Sequence, residues 1–318
     1  MPALNELHVD QARAMVIAGI PDVPETQIGS VEDRIISGRD YPYDGSDLPC
    51  AKPASAGDIP IRIYHPTREQ SHAIDKPPVL VYFHGGGWVL GNLDTHDEIC
   101  RELCAGAGYI VVSVDYRLAP EHPFPAGLND AYAALCWVSK HLSELGARQD
   151  HRALNIGGDS AGANFAAAVC MMADNQNAAY SPNIAFQLLS YPVTDGRMAM
   201  PSYEQNAEGY ILSKAMMDWF WAHYCPDESQ RHHPLASLLH VEELSGLPPA
   251  LIMTAEYDPL RDEGEAYAQR LKEAGVKVQV ERLDGLIHGF LSQIGYIPAT
   301  RKGIELAVNA LRSVQAPV

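Results

Sequence analysis

The sequence predicts an α/β fold in which a largely parallel β-sheet is covered by helices on both faces. Two short apolar runs, at residues 78–83 and 109–114, have the continuous hydrophobicity of strands that are buried on both sides. From about residue 59 onward, strand patterns alternate with helix patterns, which is the order that builds a parallel sheet. The 318 residues, of which 47% are apolar, suffice for one large domain with a substantial core.

In the first half of the chain, the spacing of apolar residues assigns each further element. Ile59, Ile61 and Ile63 alternate with polar residues and proline, which predicts a half-exposed strand. Apolar residues at spacings of three and four, from Leu128 to Leu145, predict a helix that lies against the sheet. The next elements are a strand, an alanine-rich helix and another strand, at residues 153–157, 161–173 and 184–190.

In the second half, the alternation resumes after an interruption. Residues 249–255 predict a strand, and residues 260–274 predict a helix that ends at Gly275. Valines at positions 276, 278 and 280 alternate with polar residues and predict the last strand. A final helix is expected to begin near residue 299.

Two segments fall outside this alternation. Residues 1–45 contain a weakly amphipathic stretch at residues 5–18, and residues 196–235 are rich in methionine, tyrosine and tryptophan. We expect the N-terminal segment and the insertion to meet in space as a cap. The sheet domain would then consist of residues 46–195 and 236–318.

The net charge of −17 excludes some classes of partner. An acidic surface disfavours phosphate backbones and anionic lipids, so we expect no nucleic-acid partner and no membrane partner. The first residues lack a basic region followed by an apolar run, and no apolar stretch of about 18 residues occurs. We therefore expect a cytoplasmic protein.

The six cysteines are expected to be reduced thiols without a metal. They form no C-x-x-C pair, and no histidine lies at zinc-ligand spacing beside the two that are four residues apart. The cysteines are Cys50, Cys100, Cys104, Cys136, Cys170 and Cys225.

Residues 158–162 read Gly-Asp-Ser-Ala-Gly and follow a predicted strand. This pattern is typical of a sharp strand-to-helix turn that presents a nucleophilic serine, here Ser160. Gly158 and Gly162 fit because such a turn leaves no room for side chains beside the serine. A phosphate-binding crossover is the alternative, but the usual G-x-G-x-x-G pattern is absent.

His84-Gly85-Gly86-Gly87 directly follows the buried run at residues 78–83. Consecutive glycines let backbone N–H groups approach a substrate carbonyl closely. Two of these N–H groups and that of Ala161 are suited to bind a tetrahedral oxyanion, and each such donor typically stabilises a transition state by about 3 kcal/mol. His84 is expected to shape the loop by hydrogen bonding.

A serine hydroxyl needs a base and a group that orients the base. Asp258 follows the strand at residues 249–255 and precedes a proline, which favours it over Glu256 and Asp262 as the orienting acid. His288 lies in the loop after the last strand, where open α/β sheets bind ligands. The histidines near the insertion lack this context: His232, His233 and His240.

Together these motifs resemble those of the hormone-sensitive-lipase-like (bacterial family IV) carboxylesterases of the α/β-hydrolase superfamily. The likeness spans about residues 40–315 and includes Asp115-Tyr116-Arg117-Leu118-Ala119-Pro120-Glu121. It also includes Asp258-Pro259-Leu260 and His288-Gly289-Phe290. The resemblance implies an α/β-hydrolase fold: a mostly parallel eight-stranded sheet with helices on both faces and a helical cap.

The resemblance also implies an activity and its residues. It implies hydrolysis of a small-molecule ester through an acyl-enzyme, without a metal or an organic cofactor. Ser160 would be the nucleophile, His288 the general base and acid, and Asp258 the orienting acid. The oxyanion donors would be the N–H groups of Gly86, Gly87 and Ala161, with Gly85 next in line. Because members of the family often pair through the last strand and helix, a homodimer is a further prediction.

Bulky residues near these motifs predict a short apolar slot and hence short-to-medium acyl esters. The expected wall residues are Trp88, Tyr210, Ile211, Leu212, Leu286 and Ile287. An amidase, a lactonase or a deacetylase with the same triad is an open alternative. A non-catalytic receptor is another, since the plant gibberellin receptors keep this fold but lose the catalytic histidine.

Overall fold

The eight strands in the described part of the chain form one sheet. A computed structural model describes residues 3–20, 22–43, 56–72, 74–174 and 182–315. The strands are β1 (Ser30–Ser37), β2 (Asp58–His65), β3 (Val79–Phe83), β4 (Ile110–Val114), β5 (Leu154–Asp159), β6 (Ile184–Ser190), β7 (Ala250–Tyr257) and β8 (Val278–Ile287). Their order across the sheet is β1-β2-β4-β3-β5-β6-β7-β8.

The sheet is mostly parallel, as the sequence predicts. β1 pairs with β2, and β2 with β4, in antiparallel orientation, whereas every pairing from β4 to β8 is parallel. The carboxyl ends of β3, β5, β7 and β8 therefore meet at the same edge of the sheet. The glycine loop (residues 84–91), Ser160, Asp258 and His288 each follow one of these strands.

Eight α-helices in the described residues cover the sheet and its carboxyl edge. They are α1 (Val9–Ala18), α2 (Asp97–Ala107), α3 (Ala126–His141), α4 (Ala161–Asp174), α5 (Pro201–Gln205), α6 (Lys214–Tyr224), α7 (Arg261–Glu273) and α8 (Arg301–Gln315). Side chains alternate between the two faces of a strand, so Val81 of β3 packs into the core beneath α3, α4 and α7. Its neighbours Leu80 and Tyr82 pack into the core beneath α2 and α8.

The predicted elements agree with the structure to within a few residues, apart from β8, which continues to Ile287. Among the strands and α-helices outside the insertion, two were not predicted. Most residues of β1 are exposed, so this edge strand lacks the apolar pattern that marks a buried strand. β1 pairs along its whole length with β2, from Ser30 opposite His65 to Ser37 opposite Asp58. Residues 30–37 therefore belong to the sheet, which corrects the expectation that all of residues 1–45 form the cap.

The other missed element is α2, which begins at Asp97. Two acidic residues in its first turn suit the positive end of a helix dipole, and Gly108 ends it in the left-handed conformation with a φ of 73°. Its apolar face carries Ile99 and Leu103, which pack against the sheet. These signals are present in the sequence, but the helix is short, begins only six residues after the glycine loop and lacks a long apolar stripe.

The helical part of the N-terminal segment (residues 4–18) contacts the insertion. A 3₁₀ turn at Leu4–Glu6 contacts α6 of the insertion. Ser213 caps α6 by accepting a hydrogen bond of 3.1 Å from the N–H of Met216. Both segments lie over the carboxyl edge of the sheet, since Leu4 and Met216 line the same cavity beside Ser160.

Five cysteines in the described residues are buried free thiols: Cys100, Cys104, Cys136, Cys170 and Cys225. Burial raises the pKa of Cys104 to about 12. Cys50 lies outside the described residues. Within those residues, no group of three or more potential ligands is arranged to hold a metal ion, and no helix is both long and apolar enough to cross a bilayer.

Candidate active site

Ser160 lies in the sharp turn between β5 and α4. Its φ of 54° is in the left-handed region, which costs a residue with a side chain about 1–3 kcal/mol. The surrounding structure holds this conformation: the N–H of Ser160 donates to the carbonyl of Ser190 at 2.8 Å, and the N–H of Asn164 donates to the carbonyl of Ser160 at 3.1 Å. The side chain consequently points away from the end of the strand and into a cavity.

The two glycines of the turn are required by space. A Cβ on Gly158 would lie 2.5 Å from the carbonyl carbon of Gly162 and 2.6 Å from the carbonyl oxygen of Phe83. A Cβ on Gly162 would overlap the carbonyl oxygens of Phe83 and His84. The turn therefore packs directly against the backbone that leads into the glycine loop.

Ser160, His288 and Asp258 form one chain of hydrogen bonds. His288 Nε2 lies 2.9 Å from Ser160 Oγ, and His288 Nδ1 lies 2.8 Å from Asp258 Oδ2. The carboxylate is fully buried, and its other oxygen accepts a hydrogen bond of 2.8 Å from the N–H of Leu260. The carboxylate accepts the Nδ1 proton, so Nε2 is left free to accept the proton of the serine hydroxyl.

The competing acids are engaged elsewhere. Glu256 accepts a hydrogen bond of 2.7 Å from the N–H of Gly285. Asp262 accepts hydrogen bonds from the N–H of Ser202 at 2.9 Å and from Arg261 at 2.8 Å. The three histidines near the insertion are also apart from the site: the rings of His232 and His240 contact each other, and His233 contacts Phe124.

The glycine loop presents backbone N–H groups to the same cavity. Gly86 has a φ of 117° and Gly87 a φ of 59°, conformations that favour glycine. No acceptor among the described residues takes the N–H groups of these two glycines. Ala161 is the first residue of α4, so its N–H has no partner within the helix. Gly86 and Gly87 line the same cavity as Ser160, and Ala161 directly follows Ser160 in the chain.

Gly85, by contrast, is not a free donor. Its N–H lies 3.0 Å from Asp159 Oδ1 and 3.1 Å from His96 Nε2. A Cβ at Gly85 would collide with the Asp159 carboxylate. Gly85 thus anchors the glycine loop to the residue that precedes Ser160, which corrects the expectation that it is next in line as an oxyanion donor.

His84 shapes the glycine loop and does not take part in the hydrogen-bond chain of Ser160. Its Nδ1 lies 2.8 Å from the carbonyl oxygen of Gly85, and its carbonyl accepts a hydrogen bond of 2.6 Å from the hydroxyl of Tyr116. The two rings stack with centroids 4.3 Å apart. Burial, and then the nearby His96, lower the pKa of His84 to about 3, so this imidazole is neutral near pH 7.

The cavity beside Ser160 has a volume of about 400 Å³ and a mostly apolar wall. The apolar side chains of the wall come from the N-terminal segment and the insertion, apart from Leu90 of the glycine loop. Those of the two segments are Leu4, Val16, Ile20, Ile211, Leu212, Met216, Met217 and Phe220. A smaller polar part of the wall consists of Thr95, His96, Asp159, Ser292, Gln293 and Tyr296.

Of the predicted wall residues, Ile211 and Leu212 line this cavity and four others do not. Trp88 is almost fully buried and stacks on Tyr224 with centroids 4.1 Å apart, because its φ of 62° turns the side chain under α6. Tyr210 faces solvent and stacks on Tyr257.

Leu286 and Ile287 do not reach the cavity, because both belong to β8. The strand continues to Ile287, which pairs with Tyr257 of β7. Leu286 points into the core beneath α8. Phe220 and Met216 of α6 line the cavity although neither was predicted as a wall residue. The signal for them in the sequence was the aromatic and methionine content of the insertion.

The comparisons with known proteins agree with this geometry. A family profile for the alpha/beta hydrolase fold matches residues 80–292. The chain belongs to the α/β-hydrolase family, in its hormone-sensitive-lipase-like branch. It is 43% identical over 314 residues to "Carboxylesterase NlhH" of Mycobacterium tuberculosis, an alignment that covers 98% of this chain and 90% of that relative.

Two further relatives are esterases. "Ethyl acetate hydrolase" of Pseudomonas putida is 33% identical over 315 residues, which cover 97% of this chain and 91% of that relative. The crystal structure of a thermostable esterase from Pseudomonas putida superposes with a TM-score of 0.87 at 36% identity, covering 100% of this chain and 93% of the other. With relatives of this similarity over nearly its whole length, the chain is a carboxylic-ester hydrolase.

Proposed function

We propose that the protein hydrolyses short-to-medium acyl esters through an acyl-enzyme on Ser160. The observation that carries the proposal is the hydrogen-bond chain from Ser160 through His288 to Asp258. Ser160 Oγ attacks the ester carbonyl while His288 Nε2 takes its proton. The C–O bond to the alcohol then breaks, and His288 returns the proton to the leaving oxygen. A water molecule, activated by the same nitrogen, hydrolyses the acyl-enzyme and frees the acid.

The negative oxygen of both tetrahedral intermediates would be bound by the N–H groups of Gly86, Gly87 and Ala161. Such donors are effective because the backbone already holds them in place when the charge develops. The partner of the protein in this proposal is the ester alone, and no step needs a metal or an organic cofactor. The positive end of α4 adds to the stabilisation of the oxyanion.

The size of the cavity supports a short acyl group. Its volume of about 400 Å³ is near the lower end of the range of roughly 300–1,000 Å³ for small-molecule sites. Phe220 limits it at one end, since a Cβ on Gly87 would overlap the Phe220 ring. We propose that the N-terminal helical segment and residues 196–235 act as the cap that sets this limit. The similarity to a relative named for the hydrolysis of ethyl acetate also favours short acyl groups.

A panel of p-nitrophenyl esters, from acetate to palmitate, tests the proposal. We expect kcat/KM to be highest for acetate to hexanoate, and a maximum at palmitate would contradict it. Ser160→Ala should lower kcat by about 10³-fold or more, as expected for the nucleophile of a triad. The matched control is Ser245→Ala, because Ser245 is exposed and lies outside the cavity. This control should keep the activity of the wild type.

The alternative activities use the same triad, so parallel assays with amide and lactone substrates accompany the panel. If kcat/KM is higher for an amide or a lactone than for every ester, that class and not the esters is the preferred substrate of the protein. A non-catalytic receptor is disfavoured, because His288 lies 2.9 Å from Ser160 with its ring oriented by a buried carboxylate. A fluorophosphonate should therefore label Ser160 covalently, and absence of labelling in the folded protein would support the receptor.

A further inference from the structure

The insertion that lines the cavity also contacts the loop that carries Asp258. Its first helix, α5, lies against α7, the helix that follows this loop. Ser202 belongs to α5 and Asn206 directly follows it, and a spacing of four places both side chains on the same face. Both residues are buried, since Ser202 is 0% exposed and Asn206 is 4% exposed. Neither is among the residues that line the cavity, so neither is placed to contact a substrate there.

The two buried side chains donate hydrogen bonds to main-chain carbonyls of this loop. Asn206 Nδ2 donates to the carbonyl of Asp258 at 3.1 Å, and Ser202 Oγ donates to the carbonyl of Pro259 at 2.6 Å. Because proline has no N–H, the peptide that joins Asp258 to Pro259 can be held only through its carbonyl. The insertion supplies one donor to that carbonyl, and the N–H of Arg261 supplies another at 3.2 Å.

Backbone pairing in the sheet ends before Asp258. β7 pairs regularly with β8 as far as Ala255, the register then shifts, and the last pair is that of Tyr257 with Ile287. Asp258 is the first residue beyond β7. Its main chain therefore depends for its position on contacts with other elements, and α5 is one of these.

The position of this main chain determines where the Asp258 carboxylate lies. Asp258 Oδ1 accepts a hydrogen bond of 2.8 Å from the N–H of Leu260, so the carboxylate is fixed relative to its own loop. The other oxygen, Oδ2, lies 2.8 Å from His288 Nδ1. A shift of the loop therefore moves the carboxylate relative to His288, and a misplacement of about 1 Å can slow a reaction by about 10²-fold.

We propose that Asn206 and Ser202 are positioning residues, which hold the main chain of Asp258 and thereby keep its carboxylate at hydrogen-bonding distance from His288. The inference rests on the proposed ester hydrolysis, in which His288 is the base. The same insertion lines the cavity a few residues further along, from Ile211 onward. One segment thus shapes the cavity and also holds the acid of the hydrogen-bond chain.

Asn206→Ala tests the role of this contact in catalysis. The variant loses the donor to the Asp258 carbonyl, so we expect kcat to fall by about 10-fold or more. KM should stay within about twofold of the wild type, because Asn206 does not line the cavity. A folded Asn206→Ala variant with the kcat of the wild type would overturn the proposal.

The matched control is Glu204→Ala. Glu204 belongs to the same helix, but it is exposed, and its carboxylate pairs with Lys214 of the insertion. The control should therefore keep the kcat of the wild type. If Asn206→Ala does not fold, Ser202→Ala replaces it in each measurement, because that variant loses the donor to the Pro259 carbonyl of the same loop.

A double variant shows whether Asn206 acts through the acid. Once Asp258→Asn has removed the carboxylate, its placement no longer matters. We therefore expect Asn206→Ala to lower the kcat of Asp258→Asn by less than about threefold. Independent effects multiply, so a further loss as large as that of Asn206→Ala alone would contradict a role through Asp258.

The ring nitrogens of His288 provide a test without turnover. In protein with ¹⁵N-labelled histidine, they are assigned by comparison with His288→Gln, and the chemical shift of Nδ1 reports the hydrogen bond to Asp258. We expect this shift to change in Asn206→Ala and to keep its wild-type value in Glu204→Ala. An unchanged shift in folded Asn206→Ala would refute the positioning role. The measurement needs no ester, so it is separate from the substrate panel, whose failure would contradict the proposed function instead.

Discussion

Asp258→Asn is the sharpest test of how the buried carboxylate orients His288. Asp258 Oδ1 accepts a hydrogen bond of 2.8 Å from the N–H of Leu260, and Oδ2 contacts His288 Nδ1 at 2.8 Å. An asparagine must keep its side-chain oxygen towards the Leu260 N–H, because its NH₂ group can only donate and cannot accept that hydrogen bond. Its NH₂ group then faces His288 Nδ1 and makes that nitrogen an acceptor. The ring proton moves to Nε2, which can no longer take the proton of Ser160.

The expected loss follows from this wrong tautomer. We expect kcat to fall by about 10⁴-fold, the scale seen in a serine triad when the orienting carboxylate becomes an amide. That factor corresponds to about 5 kcal/mol of transition-state stabilisation. KM should change little, because Asp258 is fully buried and does not line the cavity.

The assay is the steady-state hydrolysis of p-nitrophenyl butyrate near pH 8, with circular dichroism to show that the variant is folded. Asp262→Asn is the matched control, four residues further along. It should stay within about threefold of the wild type, because an asparagine can still accept the hydrogen bond from the Ser202 N–H and Asp262 makes no contact with His288. A folded Asp258→Asn variant that retains a tenth of the wild-type kcat would refute the tautomer argument. An equal loss in Asp262→Asn would transfer the role to that acid.

Three further predictions concern the cavity, the turn and the cap. Phe220→Ala removes the ring that packs against Gly87 and enlarges the cavity. The acyl chain of the p-nitrophenyl ester with the highest kcat/KM should therefore become longer by about two carbons or more. An unchanged optimum would show that Phe220 does not limit the length of the acyl chain. Gly162→Ala drives a Cβ into two carbonyl oxygens and should destabilise the fold by about 2 kcal/mol or more in thermal unfolding, and an unchanged Tm would show that the turn can relax. Arg13 of α1 pairs with Glu121 and lowers the pKa of that carboxyl to about 2 from an ordinary 4.5. Because the folded pKa is depressed, the stabilisation is present above pH 4.5 and is lost as the pH falls towards 2. The difference in Tm between wild type and Arg13→Gln should therefore shrink below pH 4.5, and a difference independent of pH would assign it to the uncharged contacts of Arg13 with backbone carbonyls.

Most of the sheet could be predicted from the sequence, because strands buried on both faces must be apolar throughout. The runs that became β3 and β4 have no other stable environment. β1 was not predicted because it is an exposed edge strand. Its pairing with β2 holds it in the sheet, and backbone hydrogen bonds do not depend on side-chain composition. The same applies to the length of β8, which is set by its register with β7.

The residues of the hydrogen-bond chain could also be predicted, since each follows a strand of a parallel sheet. The carboxyl ends of parallel strands lie at one edge, so Asp258 and His288 reach Ser160 although they lie 98 and 128 positions further along the chain. The cavity wall could not be predicted in this way. Trp88 follows the glycine loop directly, yet a positive φ turns it away from the cavity and under Tyr224. The direction of a side chain depends on local backbone angles and on distant packing partners, which nearness in sequence does not reveal.

The sequence alone determined the class of fold, the strands buried on both faces and the three residues of the hydrogen-bond chain: Ser160, Asp258 and His288. These features depend on local chemistry: continuous apolar runs, glycines in a turn without room for side chains, and motifs at the ends of strands. Only the tertiary structure decided that Gly85 binds Asp159, that Phe220 lines the cavity and that His96 contacts the Asp159 carboxylate. These contacts join separate elements, and their geometry arises only when the sheet brings those elements to one edge.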